Sequence, residues 1–391
     1  MKSSKITSLV KTILSLIKIY LKIRNNKKKT IFFYFPVKAY YQNIIDISEK
    51  IKDKKKINLF LIYNDSSYPI LKNYKNSFFL DINFLKFIPL SNFFLKNVNI
   101  FISSYINYVF LPKSKNIYIS HDITDAPMVN QKQEKKIFLA LGKSHYIFLS
   151  STSVVDFFKK KFLQYKYSAK NTPTLINTGY LKLDKVIKEL KKLKNTKNYI
   201  LLAPTFSGHI PRYNMSGKLD LIINCVLQKG EKIIFRPHPL DLTEKGNIKN
   251  IQKIVKKYKD NNNFFFDNSH SYMESYSKAK VLITDLSTTA YTFAYSTLRP
   301  IIFFSEKEND ISKTELINLC YYKDRNFVGL ISPNIKRLLN SIYIINKNNN
   351  YKKSKILSLR KKRIKYINVS LDQTVMQILT IKIGRASCRE R

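Results

Sequence analysis

The chain has 391 residues, of which 44% are hydrophobic and 13% aromatic, enough for two ordinary domain cores and too much for a disordered polypeptide. Its formal charge is +44, from 70 Lys and Arg against 26 Asp and Glu, but the lysines are spread over the whole length as a solvated surface would be, which argues against a clustered nucleic-acid groove and a specific nucleic-acid partner. Cys225, Cys320 and Cys388 have no metal-ligand spacing and form no even set, so neither a cysteine zinc site nor a disulfide framework is expected, and a reducing cytoplasm fits.

The first expected element is a basic amphipathic helix within residues 1–29. From Ser8 to Arg24 the polar residues Ser8, Lys11, Thr12, Ser15, Lys18 and Lys22 recur at helical spacing, and Leu9, Val10, Ile13, Leu14, Leu16, Ile17, Ile19, Leu21 and Ile23 fill the rest of the wheel. Three lysines interrupt an apolar stretch shorter than the roughly 20 residues a span needs. No small-residue cleavage site follows, only Asn25, Asn26 and Lys27 to Lys29, which argues against export. The expectation is a helix lying on an anionic membrane surface, placing the protein peripherally on the cytoplasmic face of the cell membrane. A helix packed on the protein itself is the alternative.

Beyond it, short β-branched and aromatic runs alternate with helical patterns. Ile31 to Val37, Ile57 to Tyr63, Val98 to Ser103, Asn116 to Ser120, Tyr146 to Ser150 and Thr174 to Asn177 read as strands buried on both faces, with helices at Tyr41 to Lys52 and Val154 to Phe162. A lysine-rich linker is placed at Lys191 to Asn198. The pattern then restarts with Tyr199 to Ala203, a helix near Lys218 to Gln228, Lys232 to Phe235, a helix at Ile248 to Lys259, Phe264 to Phe266, Val281 to Thr284 and Pro300 to Phe304. The fold class is α/β: two Rossmann-like domains facing a cleft, an N-terminal domain over 30–190 and a C-terminal domain over 198–382. Residues 383–391, IGRASCRER, break composition abruptly and read as a non-native tail. There is no glycine-rich dinucleotide fingerprint and no P-loop.

The chemistry concentrates where strands end. The Lys232 to Phe235 strand hands over Arg236, Pro237, His238 and Pro239, a guanidinium and an imidazole on a stiff loop. The Val281 to Thr284 strand delivers Asp285, Ser287, Thr288 and Thr289 at the mouth of a helix whose first amides favour anions. His121 follows the Asn116 to Ser120 strand. Thr205 follows Tyr199 to Ala203. Of the five histidines, His145 and His270 lack such placement and read as structural, and His209, with Arg212 nearby, is ambiguous.

In order along the chain, SHDITDAP at Ser120 to Pro127, TGYLKLDKV at Thr178 to Val186, LLAPTFSG at Leu201 to Gly208, RPHP, TDLST and RPIIFF resemble the CDP-glycerol glycerophosphotransferase family, the teichoic-acid primases and polymerases. The likeness spans about Asn116 to Phe304. The family usually shows His-Gly-Thr where this chain has His121, Asp122 and Ile123, an aromatic and Arg where it has Phe206 and Ser207, and Pro-Arg where it has Leu181 and Lys182. The resemblance implies a GT-B architecture and transfer of a polyol phosphate from a CDP-polyol donor to a membrane-associated or polymeric acceptor. Such a transfer needs a base at the acceptor hydroxyl and positive or dipolar groups around the diphosphate. His121 is the candidate base; His238 and Arg236 are placed on the donor diphosphate, with Ser287, Thr288 and Thr205 as further contacts. Asp285 caps the helix, orients His238 or accepts from a donor hydroxyl. No paired carboxylates occur among these motifs, so no metal and no cofactor is expected. Two other classes stay open: a GT-B glycosyltransferase using a nucleotide sugar, and a non-enzymatic basic membrane or nucleic-acid adaptor.

Overall fold

Apolar runs with no polar alternation need cover on both faces, and both sheets of the structure are wholly parallel. The computed structural model describes residues 2–36, 41–64, 74–88, 90–106, 111, 113–125, 131–167, 172–194, 196–208, 213–243 and 245–381. Two units separate, one formed by 1–121, 130–182 and 365–391, the other by 122–129 and 183–364.

In the first unit, β1 (Lys29–Phe35), β2 (Ile57–Tyr63), β3 (Ser77–Phe79), β4 (Ile100–Ser103), β5 (Lys115–Ile119), β6 (Tyr146–Leu149) and β7 (Thr174–Asn177) lie in the order β3-β2-β1-β4-β5-β6-β7. The register sets Phe33 of β1 between Leu61 of β2 and Ile102 of β4, so three apolar side chains stack across the middle of the sheet. In the second unit, β8 (Tyr199–Leu202), β9 (Lys232–Phe235), β10 (Phe264–Phe266), β11 (Ala279–Thr284), β12 (Ile301–Phe304) and β13 (Gly329–Ser332) lie in the order β10-β9-β8-β11-β12-β13. Strand order reverses between β1 and β4 in one unit and between β8 and β11 in the other, the Rossmann pattern in which ligands bind beyond the strands' carboxyl ends at the reversal. The core of the second unit places Ile200, Phe235, Ile283 and Ile302 against Leu219, Ile223 and Val226 of the helix Leu219–Gln228 and Leu338 and Ile342 of the helix Ile335–Lys347.

Three boundaries differ from the sequence reading. The first unit ends at 182, at the start of the helix Leu181–Leu190, and not at 190. The second ends at 364, because the helix Ser370–Thr380, assigned above to the C-terminal domain, buries Val375 and Ile378 among Ile44, Ile47 and Ile51 of the first unit. Lys29 anchors that helix by donating through Nζ to the carbonyls of Ile378 at 3.3 Å and Ile381 at 2.9 Å, a cation at the negative end of the helix. Residues 122–129 belong with the second unit, so the chain crosses immediately after His121.

The N-terminal helix, Lys2–Ile23, is part of the first unit. Leu16, Ile19 and Ile23 are fully buried with Phe32, Tyr34, Phe60 and Ile62, and the Tyr20 ring sits 5.1 Å from that of Phe93. Each such burial is worth about 1.5–3 kcal/mol. The packed alternative is therefore the one the structure adopts for this face. Lys22 Nζ donates to Asn76 Oδ1 at 2.9 Å and lies over the Phe78 ring, and Lys11 lies over Phe79, so these two lysines face protein. The wheel carries a second apolar stripe that the protein leaves exposed: Ile6, Val10, Leu14, Ile17 and Leu21. No helix among the described residues is long and apolar enough to cross a membrane. The tail 383–391 lies outside the described residues.

Candidate functional site

His121 stands two residues beyond β5, in a pocket whose other lining residues include Ser120, Thr178, Gly179, Tyr180 and Lys182. The Tyr180 hydroxyl donates to the His121 carbonyl at 2.8 Å, tying the segment after β7 to the segment after β5. Gly179 makes that turn at φ +81°, where a side chain would be strained, and a Cβ there would come within 2.9 Å of the Lys365 carbonyl. The chain returning toward the helix Ser370–Thr380 thus packs directly against Gly179. Four residues on, in the second unit, the buried Asp125 carboxylate accepts from the backbone amides of Cys320 and Tyr321, both at 2.7 Å. Burial pushes the Asp125 carboxyl above its usual range, against the opposing pull of those amides.

In the second unit the candidates gather at the reversal between β8 and β11. Asp285, fully buried at the end of β11, accepts from the Thr205 amide at 2.8 Å and the Met215 amide at 2.9 Å. It ties the segment after β8 to the end of β11. Burial is the largest influence on it and raises its pKa to about 6 despite the two amides. The Tyr321 hydroxyl donates to the Asp285 carbonyl at 3.0 Å, so Asp125, Tyr321 and Asp285 form one connected chain of hydrogen bonds. Asp241, also buried, accepts from Ser207 Oγ at 2.5 Å and from Asn247 Nδ2 at 3.0 Å, holding the same loop from its other side.

His238 sits between two prolines and begins the short turn Pro239–Leu242. Its Nδ1 accepts the Leu240 amide at 3.2 Å, and its ring lies 5.6 Å from that of Phe206. Because Nδ1 is the acceptor, the neutral ring carries its proton on Nε2, and the side chain offers a donor there. His145, by contrast, has Nδ1 accepting the Asn116 amide at 3.1 Å and stitches β5 to β6.

Arg236 is tied into the loop that follows β10. Its guanidinium pairs with Asp267 at 2.6 Å and donates to the carbonyl of Ser269 at 2.8 Å and of Ser271 at 3.4 Å, while Asp267 also takes the Ser269 amide at 2.9 Å. The side chains are only 12% and 15% exposed. Arg236 thus braces the loop after β10 through Nη1 and Nη2. Ser287 Oγ accepts the Thr289 amide at 3.2 Å and so caps the helix Thr289–Thr297, and the amides of Ala290 and Tyr291 close local turns at 3.2 Å. What this helix start offers an anion is the hydroxyl groups of Ser287 and Thr288 more than a fan of open amides.

The structure therefore brings Thr205, His238 and Asp285, with Ser287 and Thr288, to the strand ends of one unit and places His121 in a pocket of the other. The sequence reading missed Asp125, inside SHDITDAP, and Asp241, two residues after RPHP. His209 and Arg212 lie outside the described residues. Among the described residues, no three His, Cys, Asp or Glu side chains converge as a metal site would require.

The chain matches the CDP-Glycerol:Poly(glycerophosphate) glycerophosphotransferase family over residues 15–380. A curated relative, the minor teichoic acid biosynthesis protein GgaB of Bacillus subtilis (strain 168), is 28% identical over 143 residues, covering 37% of this chain and 14% of that much longer protein. Among solved structures, the wall teichoic acid polymerase TagF superposes with a TM-score of 0.60 at 16% identity, over 96% of this chain and 97% of that one. The UDP-GlcNAc 2-epimerase of Methanocaldococcus jannaschii superposes with a TM-score of 0.56 at 14% identity, over 90% of this chain and 99% of that one, which shows how widely the two-Rossmann, GT-B-type fold is shared. By the extent of the profile match, reaching from the buried N-terminal helix to the last described helix, the chain belongs to the CDP-glycerol:poly(glycerophosphate) glycerophosphotransferase family.

Proposed function

We propose that the protein transfers a glycerol-phosphate unit, or a close polyol-phosphate relative, from a CDP-activated donor to a hydroxyl of a teichoic-acid-type polymer or its lipid-linked acceptor. The observation that carries this reading is family membership over residues 15–380 with both strand-end histidines present. A crystal of TagF soaked with CDPG supports the donor class. In the reaction, the acceptor oxygen attacks the glycerol-bearing phosphorus, the bond to the bridging oxygen breaks, and cytidine monophosphate leaves. His121 takes the acceptor proton. His238, with Nδ1 already committed to Leu240, donates through Nε2 to phosphate oxygens whose charge grows as the bond breaks. Ser287 and Thr288 add hydroxyl donors. Asp285, Asp241 and Arg236 hold the loops in place and are positioning residues.

The exposed stripe of the N-terminal helix supports a peripheral seat on an anionic membrane surface at the cytoplasmic face. Phe93, 45% exposed beside Tyr20, extends the stripe. The apolar residues of the stripe are exposed, and Lys18, Lys27 and Lys28 flank them in sequence.

The experiment is to incubate the purified protein with a panel of CDP-polyols and nucleotide sugars, with and without acceptor, and follow nucleotide release. Acceptor-dependent cytidine monophosphate release is expected. Turnover of a nucleotide sugar alone would replace this reading with a glycosyltransferase.

A further inference from the structure

Tyr321 is bonded to both ends of the segment that carries Ser287 and Thr288. Its hydroxyl donates to the Asp285 carbonyl at 3.0 Å, and its own carbonyl accepts the Tyr291 hydroxyl. Asp285 directly follows β11 and Tyr291 lies in the first turn of the helix Thr289–Thr297, so Ser287 and Thr288 hang between two points held by one residue. The Asp285 carbonyl also takes the Ser287 amide at 3.0 Å, so both of its lone pairs are engaged. Tyr321 is itself fixed: it is 1% exposed, its ring lies 5.5 Å from that of Tyr291, and the buried Asp125 carboxylate takes its amide at 2.7 Å. A phenylalanine would fill this ring site as well; what the hydroxyl adds is a bond to the turn. Tyr321 lies beyond RPIIFF, outside every quoted motif.

We propose that Tyr321 is a positioning residue for the donor: it clamps the segment from Asp285 to Tyr291 so that the Ser287 and Thr288 hydroxyls stand where the donor diphosphate meets them, and Asp125 acts through it by fixing its amide. The inference rests on the reading of Ser287 and Thr288 as donor-phosphate contacts. Without the Tyr321 hydroxyl the turn keeps its Ser287 amide bond and tilts about it, and a displaced serine or threonine hydroxyl loses its bond to a phosphate oxygen. The loss therefore falls on the phosphate-bearing part of the ligand and spares the nucleoside part.

The test uses the full chain and two probes, CDP-glycerol and, as its competitor, cytidine. Equilibrium dissociation constants, the KM and kcat of cytidine monophosphate release and melting temperatures are measured for wild type, Tyr321→Phe, Asp125→Asn, the double variant, Tyr295→Phe and Ser287→Ala/Thr288→Val. Tyr295→Phe removes the hydroxyl of another buried ring, 5.7 Å from that of Tyr291, and shows what losing such a hydroxyl does by itself. Tyr321→Phe is expected to weaken CDP-glycerol binding and raise its KM by roughly 3- to 10-fold, the worth of one hydrogen bond, with cytidine unchanged. Tyr295→Phe should leave both affinities at wild type. Asp125→Asn should lose CDP-glycerol affinity in the same direction, and the double variant should lose no more than the larger single change. Wild-type CDP-glycerol affinity in Tyr321→Phe, an equal loss for cytidine, or an equal loss in Tyr295→Phe overturns the proposal, and additive losses in the double variant remove Asp125 from it. If Ser287→Ala/Thr288→Val binds CDP-glycerol as wild type does, the phosphate-contact reading fails and the clamp with it; if that variant loses affinity and Tyr321→Phe does not, the clamp alone fails.

Discussion

The assignment of His238 as a donor through Nε2 can be tested by separating the two ends of its ring. In His238→Asn the side-chain oxygen sits near the position of Nδ1 and can accept the Leu240 amide, now 3.2 Å from the ring nitrogen, so the turn Pro239–Leu242 keeps its cap. The donor at Nε2 is lost. In His238→Gln the amide nitrogen reaches about as far as Nε2 and restores a donor, while the cap goes. A lost cap costs about 1 kcal/mol of stability, and a lost donor to a charged phosphate oxygen costs about 1.5–3 kcal/mol of binding or transition-state energy, that is roughly 10- to 150-fold. Donor affinity by calorimetry, turnover by nucleotide release and stability by thermal melting are then compared. His238→Asn should melt near wild type and lose turnover by that factor. His238→Gln should melt lower and retain more turnover. The reverse ranking, with Asn the more active, would mean that Nδ1 and the cap carry the function and that the donor role is wrong.

Arg236→Ala breaks a mostly buried pair, but Asp267 keeps its bonds from Ser269, so a loss of roughly 2–3 kcal/mol in chemical denaturation is expected, with donor affinity changed less than in His238→Asn; a selective loss of donor affinity at unchanged stability would return Arg236 to the diphosphate. Asp285 has a folded pKa near 6, above its unfolded value, so the folded state binds the extra proton and the Asp285 contribution to stability falls as pH rises from about 4 to about 6, then stays flat. Asp285→Asn should remove that slope relative to wild type and lower stability by about 1–3 kcal/mol, because its NH₂ must face the Thr205 or Met215 amide; parallel pH profiles for the two proteins would refute this. For the N-terminal helix, replacing the exposed Val10, Leu14 and Ile17 with Ser should release the protein from anionic vesicles without altering its melting temperature, whereas Leu16→Ala should cost about 2–5 kcal/mol. Vesicle binding that survives the triple substitution would remove the helix as the membrane contact.

The strands were legible because burial on both faces writes them as apolar runs: Ile57–Tyr63 and Lys232–Phe235 fall where the pattern put them. β3 and β13 were not, because Ser77–Phe79 is a half-exposed edge strand of three residues, and Gly329–Ser332 begins with a glycine that reads as a breaker. That glycine is required by a backbone approach: a Cβ at Gly329 would meet the Ile301 carbonyl at 2.1 Å. Helical periodicity in Lys2–Ile23 showed an amphipathic element with apolar residues on most of the wheel, but periodicity cannot say which stripe meets protein. Likewise, the helix Ser370–Thr380 displays its apolar face openly, and only the three-dimensional return of the chain tells which core receives it. At the site, residue types pointed to the right loops. Hydrogen-bond partners did not follow from type: the sequence does not show that Arg236 pairs with Asp267 or that Asp285 takes the Thr205 and Met215 amides.

The proposed transfer from CDP-glycerol turns on His121 taking the acceptor proton. The most direct measurement is a single-turnover reaction of His121→Ala, following both cytidine monophosphate and the lengthened acceptor, alongside the equilibrium dissociation constant for the donor. The rate should fall by roughly 10²- to 10⁴-fold with donor affinity nearly unchanged. A wild-type rate in the variant, or a loss explained wholly by weaker donor binding, would contradict it.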